Sequence, residues 1–215
     1  MTKHEHPHDG QPVAERGQPL ETARAAMVML HGRGGQNDQM LTLIDHIDVT
    51  GFAYLAPQAA NYTWYPYSFM MPRARNAPHL ASALMAVDAL VKRVMNAGIA
   101  SERIMLLGFS QGACLASEYA ARYPRRFGGV VALSGGLIGA DNELAGYDGG
   151  LDSTPVFLGC SDVDSHIPVG RVHRSADIFT ELGASVEKRI YPGMAHTVNQ
   201  DELDYVKEMM GNVIK

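Results

Sequence analysis

Ile104-Met105-Leu106-Leu107-Gly108-Phe109-Ser110-Gln111-Gly112 is the stretch that decides how this chain reads. An apolar run leads into G-x-S-x-G, and a helical pattern from Ala113 to Arg122 follows. Strand, sharp turn and helix form the context in which that spacing presents a serine as a nucleophile. A serine hydroxyl is a weak nucleophile until a neighbouring base takes its proton and a fixed geometry presents it. Glycines two positions either side carry no Cβ, so strand and helix can approach closely around the turn. The same turn aims main-chain N–H groups, and the positive end of the helix, at the place where an oxyanion would form.

Outward from this turn, short apolar runs alternate with helical patterns. Ala25 to Leu30 is continuously apolar, as in a strand buried on both faces of a parallel sheet. It ends in His31-Gly32-Arg33-Gly34-Gly35, where the backbone N–H groups are left uncovered. A phosphate loop is one reading, but neither G-x-x-x-x-G-K-S/T nor G-x-G-x-x-G is present. The other reading is an oxyanion loop, in which an H-G pair after a core strand donates one N–H. There His31 is expected to fix the loop.

Gln36 to Ile47 reads as a short helix, Phe52 to Pro57 as a strand, and His79 to Ala97 as an amphipathic helix stopped by Gly98. Further strands fall at Gly128–Ser134, Pro155–Gly159 and Ser185–Tyr191, with helices at Pro168–Leu182 and Asp201–Val213. The alternation implies an α/β fold with a mostly parallel central sheet and helices on both faces. Between Gln58 and Pro78 runs a long loop holding Tyr62, Trp64, Tyr65, Tyr67 and Phe69. Its aromatics are either a wall for an acyl or aryl group, with Trp64 and Tyr65 foremost, or anchors to the core.

A chain of 215 residues fits one α/β domain without disulfide or metal staples. The expected boundaries are a flexible arm over residues 1–20 and a single domain over residues 21–215. The arm is polar and lacks the apolar core of a signal peptide; His4, His6 and His8 in it have no carboxylate or cysteine cluster to complete a metal site. Cys114 and Cys160 sit in apolar segments, which reads as two reduced, buried thiols in a cytoplasmic protein. A formal net charge of −5 argues against nucleic acid or an anionic membrane as partner, and no apolar run is long enough for a transmembrane helix.

In open α/β sheets sites form at the carboxyl ends of strands. Downstream of Ser110, one strand end is followed by Asp162 and Asp164, and the last strand by Gly193-Met194-Ala195-His196. The order Ser, Asp, His fits a triad in which Ser110 attacks an acyl carbonyl and His196 moves its proton. Of nine histidines, His196 stands out by position alone.

The set Leu30-His31-Gly32-x-Gly, Gly108-Phe109-Ser110-Gln111-Gly112, Asp164-x-x-Ile167-Pro168 and Gly193-x-x-His196 resembles the phospholipase/carboxylesterase family of α/β-hydrolases, which includes acyl-protein thioesterases. The likeness runs from about Ala25 to the C-terminus. It implies the α/β-hydrolase fold, Asp164 as the triad acid with Asp162 as the alternative, and the N–H groups of Arg33 and Gln111 as the oxyanion hole. It implies a small-molecule ester as substrate, no cofactor and no metal, and it allows a homodimer. Arg33 stands where thioesterase-like members commonly carry leucine, and the Trp64–Met70 loop is aromatic; both point to a short acyl or aryl ester. The alternatives are an acyl-thioesterase or lysophospholipase with a longer acyl pocket, and a non-catalytic binding module on the same fold.

Overall fold

A computed structural model describes residues 6–215. Its strands are β1 (Val13–Gly17), β2 (Ala25–Leu30), β3 (Phe52–Pro57), β4 (Ile104–Phe109), β5 (Gly129–Leu133), β6 (Pro155–Ser161) and β7 (Ser185–Tyr191). They form one seven-stranded sheet in the order β1-β3-β2-β4-β5-β6-β7. Every neighbouring pair is parallel except β1 with β3. The helices are α1 (Asn37–Leu41), α2 (Ile44–Ile47), α3 (His79–Asn96), α4 (Gln111–Arg122), α5 (Val169–Glu181) and α6 (Gln200–Val213). The single helix expected over Gln36–Ile47 is thus two short ones.

The continuous apolar runs are explained by two-sided burial. Along β2, Ala26, Val28 and Leu30 pack into one core with residues of α3, α4 and α5. Ala25, Met27 and Met29 point the other way, into a core with residues of α1, α2 and α6. Alternate residues of a strand face opposite sides, so a strand covered on both must be apolar throughout.

The loose arm expected through residue 20 does not hold for the described part of that segment. β1 pairs antiparallel with β3 from Val13 opposite Pro57 to Gly17 opposite Ala53. His8 is buried: its Nδ1 accepts from the Ala60 N–H at 3.0 Å, its Nε2 donates to the Trp64 carbonyl at 2.9 Å, and its own N–H donates to Ser82 Oγ at 3.0 Å. Burial lowers the His8 pKa, which favours the neutral ring this pattern needs. The domain therefore begins well before residue 21. Edge-strand pairing is made by main-chain groups, so the polar sequence of the segment concealed it. His4 lies outside the described residues.

At the elbow, main chain touches main chain. A Cβ at Gly112 would stand 2.1 Å from the Leu30 carbonyl oxygen, and one at Gly108 would stand 2.2 Å from that of Gly112. Both positions therefore require glycine, and α4 starts directly over the ends of β2 and β4. Between them Ser110 takes φ 54°, ψ −118°, a strained conformation for a residue with a side chain.

α6 begins with a reciprocal cap. Asn199 Oδ1 accepts the Glu202 N–H at 3.0 Å, and Glu202 Oε2 accepts the Asn199 N–H at 2.9 Å. Glu202 is fully buried, and its Oε1 has no hydrogen-bond partner among the described residues. It lies against β6, where a Cβ on Gly159 would stand 2.1 Å from it. Burial pushes the carboxyl up to about 7, from an ordinary 4.5. Because the folded value exceeds the unfolded one, the stability this carboxyl contributes is complete below about pH 4.5 and is lost as pH rises through 7. Urea unfolding at pH 5 and pH 8 tests this: Glu202→Gln is expected to remove roughly 2–3 kcal/mol of the wild-type decline between the two. Parallel profiles for the two proteins would show that Glu202 does not titrate in this range.

Candidate active site

Three chain segments converge at the carboxyl edge of the sheet. Ser110 caps α4 at the tip of β4, Asp164 lies in the loop after β6, and His196 lies in the loop after β7. His196 Nε2 is 2.8 Å from Ser110 Oγ, and His196 Nδ1 is 2.6 Å from Asp164 Oδ2. A carboxylate can only accept, so Nδ1 carries the proton and Nε2 is left with its lone pair toward the serine hydroxyl.

The Asp164 side chain is completely buried. Its Oδ1 accepts the N–H groups of His166 at 2.8 Å and Ile167 at 3.0 Å. Burial opposes ionisation, but the hydrogen bonds from His196 and these two amides prevail and hold the carboxyl below its ordinary range. Cys160 Sγ lies 3.8 Å from Asp164 Oδ2, as a weak donor. The alternative acid, Asp162, is exposed and accepts the Gly193 N–H at 2.7 Å. It ties the two loops together without touching the imidazole.

The His31–Gly35 loop reaches the same place, with a Cβ on Gly32 falling 3.4 Å from Ser110 Cβ. His31 is buried and holds the loop: Nδ1 donates to the Gly32 carbonyl at 2.7 Å, and Nε2 accepts from the Ala59 N–H at 3.0 Å. Burial lowers its pKa and keeps the ring neutral. Among the described residues, neither the Arg33 N–H nor the Gln111 N–H has a hydrogen-bond acceptor. For Gln111 this follows from its place as the first residue of α4, whose N–H has no intrahelical partner.

A cavity of about 530 Å³ opens beside Ser110 and His196. Tyr65, Tyr67, Phe69, Phe109 and Ile167 supply its apolar wall. Of the two aromatics expected to wall the acyl group, Tyr65 lines this cavity and Trp64 does not. Trp64 is fully buried, donates its Nε1–H to the His31 carbonyl at 2.8 Å, and packs its ring 4.9 Å from that of His31. A buried indole needs an acceptor for its N–H, and the loop carbonyl provides it. Tyr67 and Phe69 come from the aromatic loop between Gln58 and Pro78, whereas Phe109 and Ile167 stand beside Ser110 and Asp164 with no sequence pattern that marks them as cavity-lining. Among the described residues no group of His, Cys, Asp and Glu side chains could hold a metal ion, and no helix is long and apolar enough to cross a membrane.

The chain is similar to known proteins over most of its length. A phospholipase/carboxylesterase family model matches residues 13–214. A crystal structure of a phospholipase/carboxylesterase from Dyadobacter fermentans superposes with a TM-score of 0.90 at 41% identity, covering 96% of this chain and 97% of that one. Acyl-protein thioesterase 1 of Kluyveromyces lactis is 27% identical over 94% of this chain and 96% of its own. Acyl-protein thioesterase 1 of Saccharomyces cerevisiae is 33% identical over a shorter match, 57% of this chain and 55% of its own. The match beginning at residue 13 agrees with β1 being part of the domain. With its seven-stranded sheet and serine elbow, the chain belongs to the phospholipase/carboxylesterase family and has the α/β-hydrolase fold.

Proposed function

We propose that the protein is a serine carboxylesterase that hydrolyses short-chain acyl or aryl esters through an acyl-enzyme. The observation that carries this reading is the unbroken chain Asp164–His196–Ser110, at 2.6 and 2.8 Å, beside two main-chain N–H groups without acceptors among the described residues.

In the proposed reaction Ser110 Oγ attacks the ester carbonyl carbon and its proton passes to His196 Nε2. The carbonyl π electrons move onto oxygen, and the N–H groups of Arg33 and Gln111 receive that charge. Collapse expels the alcohol, which takes the proton from His196, and leaves the acyl group on Ser110. A water then repeats the sequence, with His196 as base and Ser110 as leaving group. Asp164 stays ionised throughout, fixes the imidazole tautomer and stabilises the imidazolium. Its two amide donors and its depressed pKa suit that role.

The aromatic wall formed by Tyr65, Tyr67 and Phe109 favours a compact acyl or aryl group over a long flexible chain. The relatives named acyl-protein thioesterase support a second reading, in which the same serine, acid and histidine act on a thioester with a longer acyl chain.

Turnover of p-nitrophenyl acetate separates the roles. Ser110→Ala is expected to lower kcat by about six orders of magnitude, Asp164→Asn by about four, and Asp162→Asn by less than about tenfold. Ser110→Ala within a few-fold of wild type would remove Ser110 as nucleophile, and a reversed order for the two aspartates would exchange their roles. Along a series of p-nitrophenyl esters, kcat/KM is expected to peak below about eight carbons; a steady rise beyond that length would favour the long-chain reading.

A further inference from the structure

The two amides assigned to the oxyanion belong to different elements. The Gln111 N–H is fixed by the first turn of α4. The Arg33 N–H hangs on a loop of glycines, one of which, Gly34, takes φ 76°. An oxyanion hole works only when its donors are held in place before charge develops. Something must therefore fix the spacing between these two amides.

The side chains of the same two residues converge on one segment. Arg33 donates from Nη1 to Thr63 Oγ1 at 3.0 Å and the Pro66 carbonyl at 3.1 Å, and from Nη2 to the carbonyls of Tyr65 and Tyr67, both at 3.0 Å. Gln111 reaches it from the other side: Oε1 accepts the Trp64 N–H at 2.9 Å, and Nε2 donates to the Tyr65 carbonyl at 2.8 Å. Thr63 Oγ1 lies between them. It accepts from Arg33, and its single proton faces Gln111 Oε1 at 3.2 Å and the Tyr65 carbonyl at 3.1 Å. Thr63 does not line the cavity.

We propose that Thr63 is a positioning residue: its hydroxyl joins the side chains of Arg33 and Gln111 and thereby holds the two oxyanion-facing amides at a fixed separation. This rests on the esterase reading above. The guanidinium of Arg33 acts here as a clamp on the loop and has no carboxylate partner among the described residues. The planar fork supplies four of its donors to acceptors spread over residues 63–67, an arrangement a lysine ammonium could not reproduce. The loop that forms the apolar wall is thus also the strut of the oxyanion hole.

Thr63→Val keeps the shape and removes the hydroxyl; Thr63→Ser keeps the hydroxyl. With p-nitrophenyl acetate, Thr63→Val is expected to lower kcat about tenfold with KM within about twofold, because misplaced donors cost the transition state more than the bound ester. A trifluoromethyl ketone, which forms a tetrahedral oxyanion on the serine, is expected to bind about tenfold more weakly to Thr63→Val. Thr63→Ser is expected to restore both. A wild-type kcat in Thr63→Val, a change in KM alone, or no rescue by serine would overturn the proposal. If Thr63→Val does not fold, the exposed Arg33→Met is expected to show the same kcat loss at constant KM, and an unchanged kcat there would overturn it. Failure of the esterase reading looks different: wild-type protein would neither bind the ketone nor depend on Ser110.

Discussion

The hydrogen bond from His196 Nδ1 to Asp164 Oδ2, 2.6 Å long, joins loops that leave adjacent strands, and the candidate site depends on it. Sheet order makes it possible. β4, β5, β6 and β7 are consecutive and parallel, so their carboxyl ends share one edge. Three residues far apart along the chain are thereby brought within two hydrogen bonds of one another. Asp162, bonded to the Gly193 N–H, and the Asn199–Glu202 cap brace the histidine loop from either side. The imidazole is held by its surroundings before any substrate arrives.

The backbone of the serine is held by close packing, and its N–H donates to the Leu133 carbonyl at 2.9 Å. Gly108 and Gly112 let α4 start in contact with the ends of β2 and β4, and the approach leaves Ser110 no relaxed conformation. That strain is offset by the buried sheet around it, since β2 and β5 are buried at every position. The same contact brings the glycine loop after β2 against the elbow, which sets Arg33 and Gln111 side by side. A scaffold rigid enough to store the strain therefore also places the two amides proposed to receive the oxyanion.

Much of this was legible in the sequence because each element leaves a pattern tied to its physics. Strands covered on both faces read as continuous apolar runs, the elbow requires glycine at fixed spacing, Ser110 directly follows a strand, and Asp164 and His196 lie in the loops after two later strands. Other features leave no such pattern. β1 is stabilised by main-chain pairing at a sheet edge, so Val13-Ala-Glu-Arg-Gly17 shows no apolar period. Trp64 and Tyr65 are neighbours of the same character, and only the fold turns one toward the His31 carbonyl and the other toward the cavity. Asp162 and Asp164 lie two residues apart in one loop, and only the fold turns Asp164 toward the imidazole and Asp162 toward the Gly193 N–H.

The most direct test of the account is a crystal structure of the protein after reaction with diethyl p-nitrophenyl phosphate. The expected structure has phosphorus bonded to Ser110 Oγ and its phosphoryl oxygen within about 3 Å of both the Arg33 and Gln111 nitrogens. The His196–Asp164 hydrogen bond would be kept. Phosphorus on another residue, or a phosphoryl oxygen turned away from those two amides, would contradict it.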